Sequence, residues 1–219
     1  MIEIKKWLND YLKIIDINFK DRVWFVGLQG SYARGEATES SDIDVVLILD
    51  ELTISDIQTY KKILDGLNYR DKLCGFLSGK NEILNWEPLE LFQFYYDTKP
   101  IKGSLDVLLN LFEEKDIDRA IKIGVCNIYH SSIHNILYEK SELILKELYK
   151  SASFIIQAIC FKQTRKYISC KKDLIDYILP SEQVIIKLYL DIKNNNSIDF
   201  EYVSKILFEW SKNWINRVK

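Results

Sequence analysis

The chain is poor in the residues that punctuate or staple a fold: 3 prolines, 4 cysteines and 8 glycines in 219 residues. The cysteines, Cys74, Cys126, Cys160 and Cys170, form no C-x-x-C pair and have no histidine at zinc-ligand spacing. That argues against a zinc ribbon or finger and predicts reduced, buried thiols in a cytoplasmic protein. Neither charge dominates: 30 Lys and Arg face 32 Asp and Glu, for a net charge of -2. A general electrostatic grip on nucleic acid needs a strong basic excess, so the balance argues against a nucleic-acid partner, although a local basic patch stays open. No apolar run approaches the roughly 18 residues of a membrane span; the longest, VWFVGL and VVLIL, are strand-sized. The opening MIEIKKWLND mixes charges at once and carries no signal-peptide core. What remains is 47% hydrophobic and 28% charged, the composition of a soluble globular protein with one large domain or two small ones.

Glycine divides the chain. Seven of the 8 lie at or before Gly103, and only Gly124 follows. The first half therefore needs turns and special backbone angles, whereas the second can be nearly all helix. Apolar residues at Ile4, Trp7, Leu8, Tyr11, Leu12 and Ile15 recur at helical spacing. Strands are expected at VWFVGL, at DIDVVLIL and at KLCGFLSG over 72–79. Thr53 and Asp56 form a capping pair for a helix over 54–65, ended by Gly66. The segment 82–99 reads either as a strand or as an aromatic helix starting after Pro88. Later, apolar stripes at 118–137, 143–161, 174–179 and 183–192, and a last one through Val203, Ile206, Leu207, Trp210 and Trp214, predict antiparallel helices broken by Pro180 and by a turn at Asn194–Asn196.

The chemistry concentrates in GLQGSYARGEATESSDIDVVLIL. Gly30 and Ser31 close a strand; a glycine there lets a phosphate approach the backbone, and the serine adds a hydroxyl donor. Arg34, about one helical turn on, can lean toward the same anion. Asp42 and Asp44 stand two apart on a strand, so their carboxylates share a face and can converge on a hard cation such as Mg²⁺. Two acids side by side at the end of an apolar run are expensive without a cation. A phosphate-binding turn followed by a metal-binding pair suits phosphoryl or nucleotidyl transfer.

With 10 residues between Ser31 and Asp42 and a strand on either side, this stretch resembles the G-S…D-x-D signature of the nucleotidyltransferase superfamily, the polymerase-β-like fold. The domain order is similar to that of bacterial nucleotidyltransferase-domain proteins with a C-terminal helical bundle, among whose relatives are the aminoglycoside and lincosamide nucleotidyltransferases. The resemblance implies an α+β fold: a small mixed-sheet nucleotidyltransferase domain over 1–104, then an all-α bundle over 105–219 for acceptor binding or dimerisation, with a homodimer left open. It implies ATP or another nucleoside triphosphate as donor, Mg²⁺ as cofactor, a hydroxyl-bearing small-molecule acceptor, Gly30 and Ser31 at the triphosphate, and Asp42 and Asp44 at the metal; Arg34 joins the nucleotide-binding residues on its spacing alone. The family's third carboxylate, on a later strand, has no counterpart in KLCGFLSG. Asp97, in an aromatic run, is the expected base on the acceptor hydroxyl, with Glu87 and Glu90 close behind.

Other features have plainer readings. His130 and His134 share a helix face in HSSIH, without the glutamate a metalloprotease helix needs, and are read as structural. Lys162, Arg165, Lys166, Lys171 and Lys172 are read as a solvated basic face. The missing strand carboxylate keeps a second function in view, a catalytically weak or inactive nucleotide-binding regulatory module of the antitoxin-like kind. A nucleic-acid end-modifying enzyme is a third, disfavoured by the acidic balance.

Overall fold

The computed structural model describes residues 2–194 and 198–217. Asn195 and Asn196 of the expected turn lie outside the described residues. The chain forms two compact units, Met1–Phe112 and Glu113–Lys219.

The first unit is a mixed sheet with a helical layer on each face. Its elements are α1 (Ile4–Phe19), β1 (Val23–Gln29), α2 (Gly30–Arg34), β2 (Ile43–Leu49), α3 (Ile54–Asp65), β3 (Leu73–Gly79), α4 (Lys80–Leu84), α5 (Pro88–Asp97) and β4 (Lys99–Lys102). The strand order is β3-β2-β1-β4; β2 and β3 run parallel, and β1 is antiparallel to both β2 and β4. Alternation sorts the side chains of β2. Ile43, Val45, Leu47 and Leu49 join Tyr11, Ile15 and Phe19 of α1 and Tyr60 of α3 in one core. Val46 and Ile48 join Phe25, Ile83 of α4, Leu91 of α5, Leu105 and Leu108 in the other. Both faces of β2 are covered, which is why its sequence is a continuous apolar run. Asp44 has the parity of Val46 and Ile48 and so lies on the α5 face of the sheet.

The ambiguous segment is helical. Pro88 occupies the first turn of α5, where its missing N–H is harmless, and an extended Thr98 ends the helix. The expected cap of α3 is a capping box: Asp56 N–H donates to Thr53 Oγ1 at 3.2 Å, and Thr53 N–H donates to Asp56 Oδ2 at 2.9 Å. Arg22 adds two bonds to the Asp56 carboxylate, at 2.8 and 3.0 Å. Thr53→Ala should therefore destabilise the first unit by about 1 kcal/mol. Asp56→Asn should cost more at neutral pH, because the Arg22 pair goes with the cap. The Arg22 bond holds the Asp56 carboxyl far below the usual carboxylate range, against the opposing pull of burial and with further help from Thr53. A depressed folded pKa gives stability that is fully present above the unfolded value, about 3.9, and lost as pH falls through the folded one. Urea unfolding should find the gap between wild type and Asp56→Asn smaller at about pH 2.5 than at about pH 7; an unchanged gap contradicts this role.

The second unit contains α6 (Glu114–His134), a single π turn (Asn135–Glu139), α7 (Glu142–Thr164), α8 (Lys171–Leu174), α9 (Pro180–Lys193) and α10 (Phe200–Arg217). Helix α6 packs on α7 and α10, and α9 packs on α7 and α10. Ile121, Val125, Ile128, Tyr149, Ile156, Ile185, Ile186, Tyr189, Val203, Leu207 and Trp210 are buried. The stripe at 174–179 does not form one helix. Its start is α8, then a 3-10 turn covers Ile175–Tyr177, and Leu179, which precedes Pro180, is extended at φ -68°, ψ 157°.

The expected basic face is not a single surface. Lys162 pairs with Asp118, Arg165 pairs with Glu114 at 2.7 Å, and Lys171 is fully buried, bonded to Gln157 and 4.0 Å from the Phe154 ring centre. The cysteines also depart from expectation: all four are reduced thiols, but only Cys160 is buried, and Cys74 is exposed. His134 lies 3.4 Å from Glu139 and packs on Tyr138. No helix among the described residues is long and apolar enough to cross a membrane.

Candidate active site

The site is built where β1 turns into α2. Gln29, the last residue of β1, pairs with Asp44 of β2. Gly30 then takes φ +66°, the left-handed region that suits glycine. A Cβ at Gly30 would stand 1.9 Å from Asp44 Oδ2 and 2.9 Å from its Cγ. The Asp44 carboxylate therefore rests against the bare Cα of Gly30, in space that any other residue would fill. Half-buried Ser31 follows, and its carbonyl accepts from Glu36 N–H at 2.8 Å, closing the turn after α2.

The chain reaches Asp42 through a loop tied by hydroxyls. Thr38 N–H donates to Ser41 Oγ at 2.8 Å, and Ser41 N–H donates to the Thr38 carbonyl at 3.1 Å. Asp42 is exposed and immediately precedes β2, whereas Asp44 is half-buried within the strand. Ile43 and Val45, between and beyond them, are buried at 0% and 1% exposure, so the two acids alternate away from that core.

On the other side of β2, parallel pairing sets Cys74 of β3 beside Asp44, with Leu73 and Gly75 beside Ile43 and Val45. The neighbouring strand thus presents an exposed thiol where an acid would complete a trio. Among the described residues, no group of three or more His, Cys, Asp or Glu stands ready to hold a metal. Two carboxylates still fit magnesium in donor type and number. Mg²⁺ takes one or two protein carboxylates and fills the rest of its octahedron with substrate phosphates and water.

Asp97 arrives from the opposite end of the sequence pattern. It ends α5, and the next residue, Thr98, accepts from Gln29 Nε2 at 2.7 Å before Lys99 pairs with Leu28. This places Asp97 at the Gly30 end of β1. Its carboxylate accepts from Arg34 Nη1 at 2.8 and 3.0 Å, while Arg34 Nε donates to Glu36 Oε2 at 3.3 Å. The three side chains are 8%, 11% and 11% exposed for Arg34, Asp97 and Glu36. Burial lowers the Arg34 pKa, but the charges and bonds of Asp97 and Glu36 outweigh it, and the net shift is upward. Removing the cation from a buried pair costs about 3–5 kcal/mol, whereas one hydrogen bond to a charged group returns about 1.5–3 kcal/mol.

Glu87 and Glu90 lie toward the other end of α5, roughly 15 and 10 Å along the helix from Asp97 by its rise per residue, and both are exposed. Glu90 accepts from the Trp86 indole N–H at 2.7 Å. The expected residues thus divide. Gly30 and Asp44 are in contact, Asp42 sits two residues before Asp44, Arg34 and Asp97 are joined to each other, and Glu87 and Glu90 lie elsewhere. Glu36 is the residue that sequence reasoning undervalues. Two residues after Arg34, it carries no local mark of its low exposure, which only the fold reveals.

The sequence profile of the family described as "Nucleotidyltransferase domain" matches residues 8–209. A candidate protein adenylyltransferase of Methanocaldococcus jannaschii is 38% identical over 73 residues, 33% of this chain and 68% of that protein. A second candidate from the same organism is 38% identical over 63 residues, 28% of this chain and 64% of that protein. The spectinomycin adenyltransferase from Enterococcus faecialis, solved with ATP and spectinomycin, superposes with a TM-score of 0.59 at 16% identity, over 96% of this chain and 98% of that one. At that identity the likeness speaks for the fold.

Proposed function

The chain belongs to the nucleotidyltransferase-domain family, and from that premise we propose that it moves a nucleoside monophosphate from ATP, or another nucleoside triphosphate, to a hydroxyl of a small-molecule acceptor. The observation that carries this reading is the Asp44 carboxylate lodged against the bare Cα of Gly30. A glycine turn and an acid pair made separately would not need to touch. Here the residue that would admit a phosphate and the residue that would hold its cation share one hollow.

Asp42 and Asp44 would hold Mg²⁺, which when bound supplies charge neutralisation on the phosphate oxygens. Gly30 and Ser31 receive the triphosphate beside the Asp44 carboxylate, through the backbone N–H groups of the turn and the serine hydroxyl. Asp97 accepts the proton of the acceptor hydroxyl. The acceptor oxygen bonds to the α-phosphorus as the bond to the β-phosphate oxygen breaks, and pyrophosphate leaves. A carboxylate within hydrogen-bond reach of the acceptor hydroxyl can take its proton as the new bond forms. Arg34, placed near the nucleotide by its spacing in the sequence, also bonds the Asp97 carboxylate.

The helical unit is assigned acceptor recognition or dimerisation, and reduced thiols fit work in the cytoplasm. The ATP and spectinomycin of the Enterococcus structure favour ATP as donor and a small hydroxylated acceptor. The names of the Methanocaldococcus relatives favour a protein hydroxyl as the second reading. Incubation with labelled ATP and Mg²⁺ against aminoglycosides, lincosamides and candidate protein acceptors separates them. The expected result is label on a small acceptor with release of pyrophosphate. Label on protein alone selects the second reading. ATP binding without pyrophosphate release on any acceptor selects the inactive regulatory module and overturns the enzyme.

A further inference from the structure

Two roles compete for the Arg34 guanidinium. It can reach for the triphosphate that Gly30 and Ser31 receive, or it can serve the carboxylate that takes the acceptor proton. The geometry points to the second: Arg34 is a positioning residue that fixes the Asp97 carboxylate, and Glu36 fixes Arg34 in turn. This inference rests on the nucleotidyl-transfer reading above and assigns a division of labour within that site.

Three observations support it. First, one guanidinium nitrogen, Nη1, spans both Asp97 oxygens at 2.8 and 3.0 Å. A carboxylate offers about four lone-pair positions, so this grip orients Asp97 without using its whole capacity to accept a proton. Second, the network is nearly closed to solvent, at 8%, 11% and 11% exposure. Withdrawing Arg34 to a phosphate would break three bonds to two nearly solvent-closed carboxylates, a larger loss than one phosphate contact returns. Third, the backbone sets the partners in place. Arg34 and Glu36 flank Gly35, which has φ +71°, and Glu36 N–H is bonded to the Ser31 carbonyl at 2.8 Å. Asp97 is tied through Thr98 to Gln29, one residue before Gly30. The turn that receives the phosphate and the residue that receives the proton are therefore held by one framework, with Arg34 as the link.

The test separates binding from turnover. ATP affinity in Mg²⁺ is measured by calorimetry, and turnover by pyrophosphate release with an accepted hydroxyl compound, for wild type, Arg34→Gln, Asp97→Asn, the double variant and Arg34→Lys. Arg34→Gln should leave the ATP dissociation constant within about threefold and lower kcat about 100-fold, roughly the share of one proton-transfer group. Arg34→Gln added to Asp97→Asn should lower kcat by no more than about threefold further, since both act through one carboxylate. Arg34→Lys should recover part of kcat as a lone cation beside Asp97. A tenfold or greater rise in the ATP dissociation constant for Arg34→Gln, or losses that multiply in the double variant, would overturn the inference and return Arg34 to the triphosphate. If Arg34→Gln fails to fold, the double variant, which removes one of the abandoned charges, is compared with Asp97→Asn under the same threefold limits. Wild type that binds no ATP defeats the nucleotide reading itself, and the inference falls with it. Wild type that binds and transfers, with Arg34→Gln losing affinity, defeats the inference alone.

Discussion

Asp44→Asn is expected to lower nucleotidyl transfer about 1,000-fold while leaving the fold intact. The expected loss corresponds to about 4 kcal/mol of transition-state stabilisation, within the range attributed to a catalytic metal. Asparagine keeps the size of the side chain, so it still fits against Gly30, where the carboxylate of Asp44 lies 1.9 Å from the position a Cβ would take. What it removes is negative charge and one acceptor oxygen. Asp42→Asn should act in the same direction with even less effect on stability, because Asp42 is exposed and lies outside the strand. Pyrophosphate release together with thermal unfolding separates the two effects. Full activity in either variant would remove that acid from the site, and a large drop in melting temperature with Asp44→Asn would mean that its charge serves the fold.

Gly30→Ala should be nearly as damaging to activity, by a different route. The new methyl meets Asp44 Oδ2 at 1.9 Å and Cγ at 2.9 Å, so the carboxylate must leave the hollow. The backbone angle of +66° adds strain of about 1–2 kcal/mol for a residue with a Cβ. Transfer should fall at least 100-fold with a loss of stability of that order. Gly35→Ala supplies the control. Its φ is +71°, so the strain is alike, yet nothing lies within 4 Å of the added Cβ. It should be destabilised comparably and lose less than about tenfold in transfer. Equal losses of activity in the two variants would attribute the effect to backbone strain and detach Gly30 from Asp44.

The sequence was informative where the physics is local. The cap of α3 needs only Thr53, Asp56 and Gly66 within one segment, and it formed as read. The i, i+2 acids of DIDVVLIL and the burial of Ile43 and Val45 follow from strand alternation alone. Features that depend on partners far along the chain were not legible. Arg34 and Asp97 are 63 residues apart, and no local pattern joins them. Cys74 comes to stand beside Asp44 through a parallel register that requires a crossover helix to be placed first. The segment at 82–99 carried two conflicting signals, aromatic β-formers and a proline at a helix start, and packing of Leu91 into the second core settled it as helix. Lys171 reads as one more surface cation, yet Gln157 and the Phe154 ring receive it in the interior.

A cation and a triphosphate are proposed to share one hollow beside Gly30. Anomalous diffraction from crystals grown with Mn²⁺ and a non-hydrolysable ATP analogue tests it most directly. The expected result is a metal peak about 2.0–2.3 Å from carboxylate oxygens of Asp42 and Asp44, with phosphate oxygens on the metal and against Gly30 and Ser31. Nucleotide bound elsewhere, or a metal peak with neither acid among its ligands, would contradict it.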